Sequence, residues 1–316
     1  MTIAVLTSLA RSELEGRLPA DVEALWFETP DQLLDLVPRA EIGWFDSFGE
    51  PAAVIEAVRR AENLRWLSTV AAGVNHLPLS LMAERGVVLT NGAGLHAGTI
   101  AEYAVLGMLT IAKGYRQVMR AAERHEWLHE PPGTGELAGS RAMIVGAGAI
   151  GGRIGHLLRA FDVDVVEVRR RPASGAPDAL GPDEWRARLG DFDWVIIAVP
   201  STPDTRAMIG PAELAAMKPG AGILNFARGE VIDTDALLAA IDSGHLGSAF
   251  LDVTDPEPLP PDHPLWSRDN VHVSMHLSGR SQRTIMRNGA KRFLANLERF
   301  RAGQPLHHRV DPGAGY

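Results

Sequence analysis

Short apolar runs rich in Val, Ile and aromatic residues alternate with helix-like stretches along almost the whole chain, and no other feature constrains the fold as strongly. Consecutive strands joined through helices run parallel, and a parallel sheet needs helices on its faces to bury both of them. Two such series are legible. The first predicts strands near residues 3–6, 22–27, 42–46, 66–70 and 87–90, with an amphipathic helix over 51–60. The second predicts strands near 142–145, 163–168, 194–199, 222–226, 248–253 and 271–274. Between the two series, residues 97–120 carry no proline and are densely apolar, which reads as a single helix about 35 Å long. A polar segment bearing Pro and Gly, 130–139, leads into the second series. After Gly279, Ile285, Phe293, Leu297 and Phe300 recur at helical spacing over 281–301, a helix expected to return to the first series.

With 316 residues the chain exceeds what one hydrophobic core usually serves, so two domains are expected. The 31 basic and 39 acidic residues leave a net charge of -8 with no concentrated Lys/Arg run, which argues against nucleic acid or an anionic membrane as partner. The absence of cysteine removes disulfides, thiolate zinc sites and thiol catalysis together. The first residues lack a basic leader region and read as a strand, and no apolar run approaches a membrane span, so a cytoplasmic protein is expected. The histidine pair His307 and His308 has no ligand company, and no metal site is expected.

The sharpest motif is Gly146-Ala147-Gly148-Ala149-Ile150-Gly151, which follows the strand 142–145 and opens a helix read over 153–161. Gly146 permits the tight turn, Gly148 lets a pyrophosphate approach the backbone, and Gly151 lets helix pack on strand. The helix N-terminus then offers N–H donors to the phosphates. The next strand ends Glu167-Val168-Arg169-Arg170-Arg171. An NAD enzyme usually places a carboxylate near this position for the ribose hydroxyls, whereas guanidinium groups suit a 2′-phosphate. Arg169 and Arg170 therefore point to NADP(H) as the preferred cofactor, with NAD(H) left open. Glu167 stands two residues too early along the strand to cap the ribose.

Three further strands become polar at their carboxyl ends, where open parallel sheets bind ligands. They supply Arg228, Glu257 and His276. Reduction of a 2-oxo acid needs a cation for the carboxylate, a proton donor for the carbonyl oxygen and a group that tunes the donor. Arg228 presents the fork for the first, His276 supplies the proton, and Glu257 beside it would favour the imidazolium until hydride arrives.

With these residues in place the chain resembles, in order along nearly its whole length, the D-isomer-specific 2-hydroxyacid dehydrogenase family, in the pattern of its glyoxylate/hydroxypyruvate reductase branch. The resemblance implies an α/β fold of two Rossmann-like domains with parallel sheets, a flavodoxin-like substrate domain (1–95 and 280–316) into which a dinucleotide-binding domain (96–279) is inserted. It also implies domain closure over the substrate. Residue by residue, it assigns catalysis to Arg228, Glu257 and His276. Ala72, Gly73 and Val74 become substrate-loop contacts beside Arg228 and His276. Thr99 falls near the nicotinamide, Asp252 matches the acid for its carboxamide, and Pro200 and Thr205 flank the adenosine side. Ala149 and Ile150 within the glycine motif, and Ala227 beside Arg228, complete the cofactor set. The segment around Trp127 is implied as a homodimer contact. Two positions depart from the pattern: Met275 stands where a proline usually precedes the catalytic His, which is expected to loosen its presentation, and Asn75 replaces a common Asp. A 3-phosphoglycerate dehydrogenase-like enzyme and a dinucleotide-sensing corepressor-like binding protein are the competing readings.

Overall fold

The polypeptide lays down two parallel sheets. The computed structural model describes residues 1–46, 51–74, 76–170, 179–280 and 282–311. The chain divides into one unit made of Met1–His96 with Ser281–Tyr316, and a second made of Ala97–Arg280.

In the first unit the elements are β1 (Thr2–Thr7), α1 (Arg11–Leu14), β2 (Val22–Phe27), α2 (Pro30–Leu36), β3 (Ile42–Trp44), α3 (Pro51–Arg60), β4 (Trp66–Ser68), α4 (Leu79–Glu84) and β5 (Val88–Thr90). Their sheet order, β2-β1-β3-β4-β5, is the flavodoxin-like order, and every pairing is parallel. One face buries Val5, Phe45 and Leu67 beneath α2 and α3. The other face buries Trp44 and Trp66 against Phe293 of the C-terminal helix, whose ring lies 4.8 Å from that of Trp66. Gly289 on that helix permits the approach, because a Cβ there would sit 2.7 Å from Val70 and 3.1 Å from Trp44.

The second unit runs α5 (Ala97–Ala112), α6 (Tyr115–Glu123), β6 (Arg141–Val145), α7 (Ala149–Arg159), β7 (Asp164–Val168), β8 (Trp194–Ile197), α8 (Pro211–Ala216), β9 (Gly222–Asn225), α9 (Thr234–Asp242), β10 (Ser248–Leu251) and β11 (Val271–Val273); α10 (Gln282–Arg301) belongs to the first unit. The sheet order is β11-β10-β9-β8-β6-β7, again all parallel. Beyond β7 a single parallel bridge, Val168 to Leu180, stands where a dinucleotide-binding sheet has its outer strand. The strand order turns around β6, so the loops after β6 and β8 border the crevice in which such sheets bind ligands. Among the described residues no helix is long and apolar enough to cross a membrane.

The structure corrects several local readings: β3, β8 and β10 each end two residues earlier than read, and three further differences have a visible cause. The expected single helix over 97–120 is two helices, broken at Gly114, whose φ of 58° belongs to the left-handed region. Gly133 packs directly onto that break, where a Cβ on it would stand only 2.4 Å from the Gly114 nitrogen, so the kink is set by backbone contact and not by proline. Strand β4 ends at Ser68 instead of residue 70, since the Val70 N–H is taken by the Asp46 carboxylate at 2.8 Å rather than by a neighbouring strand. The helix after the glycine motif starts at Ala149, four residues earlier than read, because the chain turns at Gly148 and the glycine motif itself forms its first turn.

Candidate active site

The glycine motif has the geometry that a pyrophosphate requires. Gly146 takes a φ of 100°, and a Cβ on it would stand 2.6 Å from the Ala198 carbonyl oxygen. Gly151 presses α7 onto β6, its missing Cβ falling 2.4 Å from the Gly146 oxygen and 2.9 Å from Ile144. At Gly148, by contrast, a Cβ would meet no atom within 4 Å. The space above the first turn of α7 is therefore open, and the amides of Ala149 and Ile150 begin the helix beside it. These residues fit a dinucleotide phosphate on the shape of the backbone alone.

At the end of β7, Glu167 is buried and its carboxylate is shared by two arginines: Arg159 Nη2 at 3.1 Å on one oxygen, Arg169 Nε at 3.1 Å and Nη2 at 2.6 Å on the other. Sequence reasoning places Glu167 too early in the strand for the ribose and goes no further; the structure turns it toward α7. Arg170 is exposed, and Arg171 lies outside the described residues. The loop after β8 closes on itself, Thr205 Oγ1 donating to the Pro200 oxygen at 2.8 Å while accepting the Thr202 N–H at 2.8 Å. Ser201 donates to Glu230, which also pairs with Arg206 at 3.3 Å. Sequence reading includes Ser201 in the loop flanking the adenosine side but gives no role to Glu230, which stands only two residues beyond Arg228.

Three loops at the carboxyl ends of β9, β10 and β11 carry the candidate catalytic groups. After β9, the Asn225 carboxamide accepts the Ala227 N–H at 2.9 Å and donates to the Arg228 oxygen at 2.9 Å, which fixes the backbone on either side of Ala227. Arg228 Nη1 donates to the Ala227 oxygen at 2.7 Å. Gly229 then lies against the next loop so closely that a Cβ would be 2.0 Å from Thr254 C and O. That contact brings the Arg228 loop onto the loop bearing Glu257. Glu257 Oε1 accepts the Thr254 N–H at 3.0 Å, and its Oε2 meets His276 Nδ1 at 2.9 Å. The carboxylate is thus anchored on one oxygen and holds the imidazole with the other. With Nδ1–H donated to Glu257, Nε2 is the nitrogen that carries the exchangeable proton.

The loop bearing His276 is organised by Asp252. Its buried carboxylate accepts Ser274 Oγ at 2.7 Å, the Ser278 N–H at 3.1 Å and the Ser278 hydroxyl, and its backbone oxygen accepts the His276 N–H at 2.6 Å. Met275 and His276 both adopt a φ of 55°, a region that costs non-glycine residues on the order of 1–3 kcal/mol each and persists only where the surroundings impose it. A proline ring, fixed near -65°, could not adopt this turn, and the Asp252 bonds hold it in place. The signal in the sequence was the pair Ser274 and Ser278, spaced symmetrically about His276.

In the first unit, the Ala72-Gly73-Val74 loop is held by its flanks. Asn91 Nδ2 donates to the Ala72 oxygen at 3.0 Å, Gly92 donates to the Ala71 oxygen at 2.8 Å, and Val74 is fully buried. Upstream, Asp46 accepts Trp44 Nε1 at 2.6 Å, Thr69 Oγ1 at 2.6 Å and the Val70 N–H at 2.8 Å. Burial pushes the Asp46 carboxyl up, against the opposing pull of these donors. Thr99 lies in the first turn of α5, in the second unit. Asn75 lies outside the described residues. No group of three or more His, Asp or Glu suited to a metal occurs among the described residues.

Residues 105–278, more than half of the chain, match the family model described as D-isomer specific 2-hydroxyacid dehydrogenase, NAD binding domain. A D-3-phosphoglycerate dehydrogenase from Archaeoglobus fulgidus is 28% identical over 258 residues, covering 81% of this chain but only 49% of its own length. A glyoxylate reductase from Thermofilum pendens is 32% identical over 232 residues, 71% of this chain and 68% of that one. Among solved structures, an NADPH-dependent glyoxylate/hydroxypyruvate reductase from Sinorhizobium meliloti, in complex with NADP and sulfate, superimposes with a TM-score of 0.82 at 25% identity and covers 100% of both chains. The chain belongs to the D-isomer specific 2-hydroxyacid dehydrogenases, NAD(P)-dependent oxidoreductases that act on 2-hydroxy acids.

Proposed function

We propose that this protein reduces a short 2-oxo acid of the glyoxylate or hydroxypyruvate type, with NADPH as preferred reductant. The observation that carries the reading is the 2.9 Å hydrogen bond between Glu257 and His276, with Glu257 fixed on its other oxygen by Thr254. A bound nicotinamide supplies hydride to C2 of the substrate. His276 Nε2 gives its proton to the carbonyl oxygen as that oxygen gains charge, and Glu257 balances the imidazolium before transfer. Arg228 pairs with the substrate carboxylate through its planar guanidinium. In the oxidative direction His276 takes the hydroxyl proton back.

The preference for NADPH is supported by Arg169 and Arg170 at the ribose end of β7, where Glu167 is already engaged by Arg159 and Arg169. The Sinorhizobium meliloti relative, solved with NADP, agrees with this. A phosphoglycerate dehydrogenase reading has its own support in the Archaeoglobus fulgidus relative. Steady-state assays of glyoxylate, hydroxypyruvate, pyruvate and 3-phosphohydroxypyruvate with NADPH and NADH decide between them. The expected result is highest kcat/KM for an unphosphorylated two- or three-carbon acid with NADPH. A preference for the phosphorylated acid with NADH replaces this reading, and no turnover of any acid, with dinucleotide still bound, leaves a sensing protein.

We further propose a cytoplasmic homodimer. Trp127 is 84% exposed and lines, with Val118, Leu128 and Pro131, a groove of about 690 Å³, an apolar surface of the kind that a second copy covers. Sedimentation equilibrium should return twice the chain mass, and Trp127→Glu should shift it toward one; a wild-type monomer at micromolar concentration overturns the assignment.

A further inference from the structure

A carboxylate as buried as that of Glu167 needs a reason, because removing it from water is costly unless its lone pairs are filled. Here they are filled from two sides. Arg159 of α7 reaches one oxygen at 3.1 Å, and Arg169 meets the other through both Nε and Nη2, at 3.1 and 2.6 Å. Gly155 of α7 makes the room: a Cβ there would stand 3.2 Å from the Glu167 oxygen and 3.1 Å from Arg159 Nη1. The backbone is fixed as firmly as the side chains. Leu180 donates to the Glu167 oxygen at 2.8 Å and accepts the Arg169 N–H at 3.0 Å, while the Val168 oxygen between them accepts the amides of Gly146 and Ala147 at 3.2 and 3.1 Å. The end of β7 is thereby hydrogen-bonded to the phosphate-binding turn itself.

Arg169 therefore does not wave in solvent. Its side chain is 28% exposed, against 50% for Arg159. Of the five N–H donors of a guanidinium, two are spent on Glu167 among the described residues, leaving three for an incoming group. An arginine ordered before its ligand arrives loses less freedom on binding it.

We propose that Glu167 is a positioning residue for cofactor selection: it pre-orders Arg169 to receive the 2′-phosphate of NADP(H), and it contributes nothing to NAD(H), which has no such group. The proposal rests on the NADPH preference advanced above. It also commits to a sign. If Glu167 acted only as a negative charge near the phosphate, its removal would tighten NADPH binding; if it acts by ordering Arg169, removal weakens it.

Fluorescence titration of the full chain with NADPH and NADH reads both affinities without a substrate. Arg169→Ala is expected to weaken NADPH at least tenfold. Glu167→Gln should weaken NADPH about 5–10-fold and change NADH less than twofold, the NADH value reporting that the site is folded. In the Arg169→Ala background, Glu167→Gln should have no further effect on NADPH. Glu167→Asp keeps the charge but is too short to serve both arginines, and should shift NADPH in the same direction; it carries the test where Glu167→Gln does not fold. A Glu167 variant that leaves NADPH affinity unchanged, tightens it, or shifts NADPH and NADH equally overturns the proposal while an effective Arg169→Ala leaves the cofactor reading standing. Arg169→Ala with no effect on NADPH overturns the proposal as well, and unaltered protein that binds NADH as tightly as NADPH removes the cofactor reading itself.

Discussion

Two carboxylate–cation pairs stand at strand ends of the same sheet, and they differ in what surrounds them. Glu257 and His276 are 37% and 47% exposed and lie 2.9 Å apart. Glu167 and Arg169 are 10% and 28% exposed and lie 2.6 Å apart. The first pair joins an acid to an imidazole, a group with a second ring nitrogen free to exchange a proton, in a setting open to water. The second joins an acid to a group that never deprotonates, in a setting that excludes most solvent. Under the roles proposed above, similar pairing chemistry would serve proton transfer in one place and fixed electrostatics in the other, with burial and partner identity deciding which.

Breaking the first pair should cost most. His276→Ala is expected to lower kcat by roughly 10²–10⁴-fold while NADPH affinity stays constant, as measured by steady-state rates and cofactor titration. A loss below tenfold would mean that another group supplies the proton. Glu257→Gln keeps a hydrogen-bond acceptor but removes the charge, and kcat should fall about 10–100-fold with a smaller change in KM; equal changes in both would assign Glu257 to binding instead.

The proximity of the loops can be tested separately. Gly229→Ala puts a Cβ within 2.0 Å of Thr254, so the Arg228 loop must retreat from the loop that carries Glu257. The expected stability loss is about 1–3 kcal/mol in urea unfolding, with kcat reduced in a protein that still binds NADPH. Unaltered stability would show that the backbone yields freely there.

The smallest effect sharpens the contrast between exposed and enclosed histidines. Burial, with help from the charges of Arg116 and Arg120, pulls His272 down to about 4. Below about pH 6.5 the unfolded chain binds a proton that folded His272 refuses until about pH 4. The stability contributed by its neutral ring is therefore complete above about pH 6.5 and is lost as pH falls toward 4. Thermal melts should show His272→Gln with a flatter pH dependence over this window, by on the order of 1 kcal/mol after solvent screening. Parallel curves for variant and wild type would place the acid sensitivity elsewhere.

Much of this is legible in the order of residues. Gly146, Gly148 and Gly151 announce a strand-turn-helix because their roles are local: each acts on backbone within a few residues of itself. The strands β2 and β9 fall where alternation of apolar segments puts them, within a residue at each end. The packing of Gly133 onto the helix break at Gly114 is not legible, since it joins positions nineteen apart. The clasp of Glu167 on Arg159 and the choice of Asp252 as the shared partner of Ser274 and Ser278 are not legible either, because each joins residues that only the fold makes neighbours.

Apolar periodicity and residue type are properties of short windows, and they suffice to set the parallel α/β architecture and the inventory of chemistry, Arg228, Glu257 and His276 included. Which acid meets which cation, how deeply each pair is buried, and the passage of Met275 and His276 through left-handed backbone are settled only in the folded chain. Apart from Glu167 and Arg169, which stand two residues apart, those outcomes depend on distances between segments separated along the chain, and hydrogen bonds and desolvation act only once folding has closed those distances.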